Sequence, residues 1–343
     1  NDDTKRVKGH LNMADDLLAK VWSKWFVIPS VAAAGLCALH YVYYLLVLRG
    51  RWCHSTARLD GKTVVITGAN AGIGRETALD LARRGGRIIL ACRSRERAEE
   101  ARQDIIRQTK NENVVFRRLD LASLASVRKF AEEMKREEGR LDILINNAGL
   151  CWHSDEKTAE GFDLQFGVNH FGHFLLTNLL LDLLEKSAPS RIVVVSSMMH
   201  MYGKLDFTPT NEHGDRYPNL KSYWPSKLAN ILFARELARR LDGTGVTVNS
   251  LHPGVIYTDL WDSIKADHGF VWGTIMKGFC WALMKSAREG AQTSIHCAVE
   301  ETLQNVTGRY FADCSIAEES EDAKDDGLAK KLWEVSAEVT GLE

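Results

Sequence analysis

Tyr223 and Lys227 are four residues apart in the sequence Tyr-Trp-Pro-Ser-Lys. On a helix this spacing places the phenol and the ammonium on one face, one turn apart. A nearby cation favours the phenolate, so Lys227 is expected to bring the phenol pKa, ordinarily about 10, towards a pH useful for proton transfer. Pro225 fits only in the first helical turn, because an interior proline would break the helix. The pair predicts a proton donor or acceptor.

A glycine-rich stretch predicts a dinucleotide site. Residues 67–74 read Thr-Gly-Ala-Asn-Ala-Gly-Ile-Gly and lie between a predicted strand and a predicted helix. Glycines let the backbone turn tightly and approach a pyrophosphate, whose charge then meets the helix N-terminus. The spacing differs from the usual Gly-x-Gly-x-x-Gly. The predicted cofactor residues in this stretch are Gly68, Asn70, Ala71, Gly72, Ile73 and Gly74.

Arg93 bears on the choice of cofactor, because it directly follows the second predicted strand. An NAD site usually has an acidic residue here for the ribose hydroxyls, whereas an arginine accommodates the 2′-phosphate of NADP. We therefore predict NADP(H) as the cofactor. The alternative is that Arg93 is a solvated charge at the start of a helix.

A parallel sheet is needed to bring these residues together, and the rest of the sequence predicts one. Short Val/Ile/Leu runs alternate with amphipathic helical stretches, and continuous apolar strands indicate burial on both faces. The predicted fold class is α/β, with a Rossmann-like, doubly wound parallel sheet in a single catalytic domain. The predicted strands are 63–67, 87–92, 114–119, 141–146, 191–196 and 245–251, and predicted helices include 98–109, 124–137 and 223–241.

An apolar stretch near the N-terminus predicts one transmembrane helix ahead of this domain. Residues 26–48 contain no Asp, Glu, Lys or Arg, and as a helix they would extend roughly 34 Å against a bilayer core of about 30 Å. A cleaved signal peptide or a buried core helix is the alternative, but a signal peptide's apolar region is only about 7 to 15 residues long. The predicted divisions are an N-terminal flank (1–24), the anchor (25–48), a connector (49–58) and the catalytic domain (59–343). Basic residues on the two sides nearly balance, so charge does not settle the orientation.

Composition narrows the classes of partner. The 343 residues include 44 basic and 45 acidic side chains, for a net charge of −1, whereas nucleic-acid binding usually requires a basic excess or stripe. The seven cysteines are widely spaced, with no Cys-x-x-Cys, which argues against a disulfide framework or a zinc site. We predict no nucleic-acid partner and no metal site.

Taken together, the motifs resemble those of the short-chain dehydrogenases/reductases. Besides the glycine loop and the Tyr223/Lys227 pair, the ordered set includes Asn-Asn-Ala-Gly at 146–149, Ser196-Ser197 and Pro253-Gly254, each after a predicted strand. The resemblance extends from about Leu59 to the C-terminus. It implies an enzyme that transfers a hydride between a nicotinamide cofactor and a carbonyl or alcohol.

The resemblance also implies a role for each matching residue. Tyr223 would be the general acid/base, and Ser197, in preference to Ser196, would hydrogen-bond the substrate oxygen. Lys227 would lower the tyrosine pKa and bind the nicotinamide ribose, and Asn169 would hold a proton-relay water. A buried polar bridge for Asn169 and a strand-end cap for Ser197 are the alternatives. Further implied cofactor contacts are Asp120, Leu121, Asn147, Ala148, Gly149, Pro253, Gly254 and Thr258.

Several stretches are similar, more specifically, to the membrane-anchored retinol dehydrogenase/retinal reductase branch. They are residues 141–149, 167–176, 226–241, 289–297 and 308–311. That branch implies a lipophilic substrate such as retinal or retinol, a preference for NADP, and a single-pass anchor in the endoplasmic reticulum with the catalytic domain facing the cytosol. The membrane and the substrate are the expected partners, and a homo-oligomer is left open.

The substrate assignment has alternatives. Residues 259–284 contain three tryptophans and two phenylalanines, which would wall an apolar pocket and touch the bilayer or simply pack in the core. Steroids, polyprenols and lipid-derived carbonyls are compatible with the same chemistry, and a non-enzymatic membrane scaffold is a further class. Asn305-Val306-Thr307 is a glycosylation acceptor sequence, so a lumenal orientation is the alternative to a cytosolic one.

Overall fold

The computed structural model of the protein describes residues 22, 24, 28–45, 49–151, 156–208, 220–256 and 284–342. The chain divides into two compact units, residues 1–50 and residues 51–343. In the first unit, helix α1 (Ile28–Tyr43) lies within the predicted anchor, whose ends at 25–27 and 46–48 are outside the described residues. No helix among the described residues is both long enough and apolar enough to cross a membrane.

The second unit is built around a sheet that, in the described residues, has eight strands in the order β3-β2-β1-β4-β5-β6-β7-β8. All neighbours pair in parallel except β7 and β8. The predicted Rossmann-like α/β fold is therefore confirmed. The strands are β1 (Thr63–Thr67), β2 (Arg87–Cys92), β3 (Val114–Arg118), β4 (Ile143–Asn146), β5 (Ser190–Val195), β6 (Val246–His252), β7 (Tyr310–Ala312) and β8 (Ser315–Ile316).

Helices cover both faces of the sheet. Apolar residues of α2, α3 and α9 pack on one face, and those of α4, α6 and α8 pack on the other. Because both faces are covered, the strand interiors are continuously apolar. The helices are α2 (Gly72–Arg83), α3 (Arg95–Thr109), α4 (Leu124–Glu137), α5 (Leu164–Phe166), α6 (Gly172–Leu179), α7 (Leu181–Lys186), α8 (Tyr223–Arg240), α9 (Ala287–Val299) and α10 (Asp326–Thr340), with a π-helical turn at Gly167–Phe171 and a 3-10 turn at Met198–Tyr202.

The strand order reverses between β1 and β4, where β2 lies on one side and β5 on the other. In an open parallel sheet, the crevice at the carboxyl ends of the strands at such a point is the usual ligand site. The glycine loop follows β1, and the Asn-Asn-Ala-Gly motif follows β4. The topology therefore brings two of the predicted motifs to the same edge of the sheet.

Candidate active site

A cavity of about 540 Å³ lies at this edge of the sheet. It brings together most of the predicted cofactor residues, from six separate parts of the chain. Two predicted cofactor residues are not among those that line the cavity: Gly254 lies elsewhere, and Thr258 is outside the described residues. The predicted residues that line it are Gly68, Asn70, Ala71, Gly72, Ile73, Gly74, Arg93, Asp120, Leu121, Asn147, Ala148, Gly149, Tyr223, Lys227 and Pro253.

The glycine loop is shaped for close approach by a ligand. A Cβ on Gly68 would lie 3.0 Å from the Cα of Ala148, and Gly68 has a φ of +66°, a region that glycine adopts without strain. The N-cap of α2, Ala71, makes no side-chain capping hydrogen bond, so no side chain at that position competes for the first-turn amides. Such amides attract phosphates. The loop fits the pyrophosphate of a dinucleotide.

Thr67 fastens the glycine loop to the loop after β4. Its Oγ1 accepts hydrogen bonds from the backbone N of Asn147 and of Ala148, both at 2.9 Å. The same oxygen lies 2.8 Å from Nε2 of His173. In return, Nδ2 of Asn147 donates to the Thr67 carbonyl at 2.8 Å. The glycine loop and the loop after β4, which both line the cavity, are thus held together by one buried hydroxyl.

We expect Gly74→Ala to weaken dinucleotide binding and to destabilise the domain. A Cβ at Gly74 would lie 2.5 Å from Nδ2 of Asn147 and 2.5 Å from the Gly68 carbonyl oxygen, so the two loops would have to separate. Overpacking of this kind costs about 1–3 kcal/mol. Fluorescence titration with NADPH and urea unfolding would measure the two effects. Gly139→Ala is the matched control, because its Cβ would meet nothing within 4 Å; equal losses in both variants would contradict the expectation.

Tyr223 is the first residue of α8, and Pro225 lies in the first turn, as the sequence requires. The preceding residue, Ser222, has φ +69° and ψ 171°, a conformation that costs a non-glycine residue about 1–3 kcal/mol and is found mainly at functional sites. The Tyr223 hydroxyl is hydrogen-bonded to Ser197. Ser196 instead donates to the Lys227 carbonyl at 2.6 Å. Of the two serines, Ser197 is therefore the one that pairs with the tyrosine.

Ser197 also has the capping contact that the alternative interpretation proposed. It is the N-cap of the 3-10 turn, and its Oγ accepts a hydrogen bond from the backbone N of Met199 at 3.2 Å. The Ser197 carbonyl accepts from Nδ1 of His200 at 2.8 Å, while Nε2 of His200 accepts from the backbone N of Ser320 at 3.2 Å. His200 thus fixes the Ser197 backbone through the hydrogen bond to its carbonyl, a role that sequence reasoning did not identify.

The ionisation of the Tyr223/Lys227 pair differs from the expectation. Burial raises the pKa of Tyr223 to about 12, an effect that the hydrogen bond from Ser197 only partly opposes. Burial also lowers the pKa of Lys227 to about 8. Its Nζ lies 5.5 Å from the centre of the Tyr223 ring. The pKa of the phenol is therefore raised by burial and not lowered as expected, and the lowering by Lys227 stays a prediction.

Asn169 lies in the π-helical turn, a rare geometry that occurs often at functional sites. Its Oδ1 accepts from the backbone N of Leu150 at 2.7 Å. Its Nδ2 donates to the Leu150 carbonyl at 3.0 Å and to Oγ of Ser226 at 2.9 Å. Asn169 therefore ties the loop after β4 to α8, next to Lys227. Its water-holding role stays a prediction.

Two buried histidines next to Asn169, His170 and His173, have hydrogen-bond partners in the fold. Nε2 of His170 lies 2.8 Å from Oγ of Ser336, and Nδ1 of His173 donates to the Asn169 carbonyl at 3.0 Å. Burial lowers the pKa of His170 to about 3 and that of His173 to about 4. Both rings are therefore neutral at physiological pH and do not supply a proton.

Comparison with known proteins assigns this arrangement to a family. The model of the short chain dehydrogenase family matches residues 62–269. The chain belongs to the short-chain dehydrogenases. It is 48% identical to human "Retinol dehydrogenase 13" over 317 residues, which cover 92% of this chain and 94% of that protein. It is therefore an oxidoreductase of the alcohol dehydrogenase type that uses a nicotinamide dinucleotide.

Two solved structures show the same short-chain dehydrogenase fold. An uncharacterized protein from Mycobacterium paratuberculosis is 34% identical, with a TM-score of 0.66 over 86% of this chain and 98% of its own. A protein from Beutenbergia cavernae, assigned as an NAD(P)-dependent gluconate 5-dehydrogenase, was solved with NADP at low occupancy. It is 25% identical, with a TM-score of 0.59 over 75% of this chain and 96% of its own.

The short-chain dehydrogenase cavity has a basic end. Arg93 lies there as predicted, and Arg97, which sequence reasoning missed, also lines it. Arg93 directly precedes Ser94, the N-cap of α3, and Ser94 accepts a hydrogen bond from the backbone N of Arg97 in the first turn at 3.4 Å. The closeness of Arg97 in sequence to Arg93 and to the end of β2 was the available signal.

Proposed function

We propose that this oxidoreductase uses NADP(H) to interconvert retinal and retinol, or similar lipophilic aldehydes and alcohols. The observation that carries the proposal is a Ser197, Tyr223 and Lys227 arrangement beside a dinucleotide cavity, in a chain that is nearly half identical to a retinol dehydrogenase over most of both lengths. The arrangement of the site supports proton transfer to or from the substrate oxygen, and the similarity to a retinol dehydrogenase supports the substrate class.

The protonation state of Tyr223 suits it to act as the acid in carbonyl reduction. When bound, the nicotinamide supplies or accepts the hydride. The Tyr223 hydroxyl, protonated at neutral pH because its pKa is about 12, donates a proton to the carbonyl oxygen, and Ser197 hydrogen-bonds that same oxygen. In the reverse direction the phenolate takes the proton of the alcohol. A positioned acid of this kind contributes about 10²–10⁴-fold to the rate.

We expect Arg93→Ser to reduce the preference for NADPH over NADH. Among the described residues that line the cavity, the one acidic side chain is Asp120, which follows β3 and not β2. A hydrogen bond to a charged group contributes about 1.5–3 kcal/mol, so the preference should fall by about 10- to 100-fold. Affinities for both cofactors would be measured by fluorescence titration.

Arg95→Ser is the matched control for this change. Arg95 is an exposed arginine at the start of α3 and does not line the cavity, so its loss should leave both affinities unchanged. Tighter binding of NAD than NADP by the unaltered protein would contradict the NADP proposal. An unchanged preference in Arg93→Ser would exclude Arg93 as its cause.

A matrix of substrates and cofactors with the detergent-solubilised full chain tests the substrate class. We expect NADPH-dependent reduction of all-trans-retinal to exceed that of a steroid ketone, a polyprenal and a lipid-peroxidation aldehyde in kcat/KM. Absence of retinal turnover alongside turnover of another carbonyl would contradict the retinoid assignment and keep the oxidoreductase assignment. Absence of turnover with every pair, in protein that still binds NADPH, would favour the non-enzymatic alternative.

We further propose that the protein is held in the endoplasmic reticulum membrane by one N-terminal span, with its catalytic domain in the cytosol. The apolar stretch 26–48 supports this proposal. Retention of the full chain in membranes after alkaline carbonate extraction, and its release when 1–50 are deleted, are the expected results. Asn305 is exposed in its acceptor sequence, so an endoglycosidase-sensitive mass shift that Asn305→Gln abolishes would overturn the cytosolic orientation.

A further inference from the structure

Three potential metal ligands from distant parts of the chain meet on the face of the domain covered by α9. They are Cys53 of the segment that precedes β1, and His296 and Glu300 at the end of α9. One donor atom from each lies within 4.8 Å of the other two, and Nδ1 of His296 is 3.7 Å from Oε2 of Glu300. None of the three lines the dinucleotide cavity. The cluster is therefore separate from the active site.

Contacts on both sides of the cluster fix these donors in place. The backbone N of Cys53 donates to Oε1 of Gln292 at 3.2 Å, so that α9 itself positions the thiol. Two residues further on, Oγ of Ser55 donates to the Val299 carbonyl at 3.3 Å. His296 and Glu300 are one helical turn apart, a spacing that places both side chains on one face.

The Glu300 carboxylate is oriented towards the cluster. Its Oε1 accepts a hydrogen bond from Oγ1 of Thr302 at 3.1 Å, which leaves Oε2 directed at His296. Hydrogen bonds of this kind to a ligating carboxylate orient it for a metal. The thiol, imidazole and carboxylate thus converge without a change in the backbone.

A thiolate, an imidazole and a carboxylate are the donor types that Zn²⁺ takes in proteins, and three protein ligands leave a fourth position for water. We propose that Cys53, His296 and Glu300 bind one Zn²⁺ ion, which fastens the segment before β1 to α9. On binding, the Cys53 thiol loses its proton to solvent as the sulfur–zinc bond forms, and neither the metal nor the protein changes oxidation state. Sequence spacing gave no sign of the site, because 243 positions separate the thiol from the imidazole.

The electrostatics of the surroundings accommodate a dication. Burial lowers the pKa of His296, so its ring is neutral and free to ligate, whereas burial raises the pKa of Cys53, so the metal must displace a proton. The neighbouring thiols of Cys297 and Cys314 are also protonated, since burial raises their pKa values. The charged groups that act on Cys53 and His296 are two arginines and two carboxylates: Arg84, Arg191, Asp80 and Glu300.

Metal binding by the full chain, stripped with a chelator and held in detergent, tests the proposal. We expect one Zn²⁺ per chain by competition with a chromogenic chelator, and a thiolate-to-cobalt charge-transfer band when Co²⁺ replaces Zn²⁺. Cys53→Ser should abolish that band. His296→Gln and Glu300→Gln should each lower the Zn²⁺ affinity at least about tenfold, because even the loss of an outer-shell partner costs about 10–100-fold. Affinity should rise with pH, as one thiol proton is released.

Cys314→Ser is the matched control, because Cys314 is a half-buried thiol close to Cys53 but outside the trio. It should retain both the stoichiometry and the cobalt band. NADPH titration of every variant checks that the domain is folded, and if Cys53→Ser does not fold, the His296 and Glu300 variants decide the outcome. Less than stoichiometric Zn²⁺, or a thiolate band that persists in Cys53→Ser, would overturn the site.

Discussion

Replacing Tyr223 with phenylalanine should lower kcat for carbonyl reduction by about 10²–10⁴-fold, the contribution expected of a positioned general acid, while NADPH affinity stays close to that of the unaltered enzyme. The substitution removes only the hydroxyl that is hydrogen-bonded to Ser197. The ring that packs at the cavity wall is kept. Steady-state kinetics with NADPH and a soluble aldehyde, together with a fluorescence titration, would separate the two effects.

Tyr202→Phe is the matched control, because Tyr202 lies in the neighbouring 3-10 turn with an exposed side chain and does not line the cavity. Its hydroxyl has no place in the proposed chemistry, so kcat should be unchanged. If Tyr223→Phe retained full turnover, another group would have to supply the proton, and the scaffold alternative would also regain support. Equal losses in both variants would point to a general effect on this surface.

The sequence predicted this site well because strand ends determine where its parts meet. β1 and β2 begin and end at the predicted residues, and the other predicted strands differ by one or two residues. In a parallel sheet, all of these carboxyl ends lie at the same edge. The glycine loop, Asn147 and Pro253 were therefore expected in one cavity once the strands had been placed, and they line it.

Other features depend on packing that sequence patterns do not encode. β7 has three residues and β8 has two, too few to show a period. The contact between His200 and Ser197 needs the turn geometry to be known. The pKa of Tyr223 depends on how completely the fold buries the phenol, which a four-residue spacing cannot reveal.

Replacing Lys227 with methionine should abolish most of the activity and yet stabilise the cofactor-free domain. The side chain is buried, and burial lowers the pKa of its ammonium from 10.5 to about 8. A group that must be charged in a desolvated position destabilises the fold, and such costs are common at active sites. A shift of this size corresponds to about 3 kcal/mol at neutral pH. Methionine has a similar length and no charge to desolvate.

Lys227 and Asn230 donate to the same carbonyl, so loss of the Lys227 hydrogen bond should cost little stability. Nζ of Lys227 donates to the Val195 carbonyl at 3.2 Å, and Nδ2 of Asn230 donates to the same oxygen at 3.2 Å. The carbonyl therefore keeps a partner in the variant. An orphaned buried acceptor would otherwise cost about 1–3 kcal/mol and cancel the gain.

The pKa of Lys227 also determines how the stability difference between the two proteins should change with pH. Below about pH 8, the lysine is protonated in both the folded and the unfolded chain, so the cost of burying the charge is fully present. Between about pH 8 and the unfolded value of 10.5, the folded chain loses its proton first and that cost disappears. The unaltered protein should therefore gain stability over this interval relative to Lys227→Met. The advantage of the variant should be largest at neutral pH and should close above pH 10.5.

Urea unfolding of the cofactor-free protein, followed by tryptophan fluorescence across this pH range, measures the difference. Lys330→Met on α10 is the matched control, because Lys330 is exposed and its replacement should change the free energy of unfolding by less than about 0.5 kcal/mol at any pH. Destabilisation of Lys227→Met at neutral pH would show that the interactions of the ammonium contribute more to stability than its burial costs. Stabilisation with loss of turnover would show instead that the fold retains this charge for the reaction, at the expense of stability.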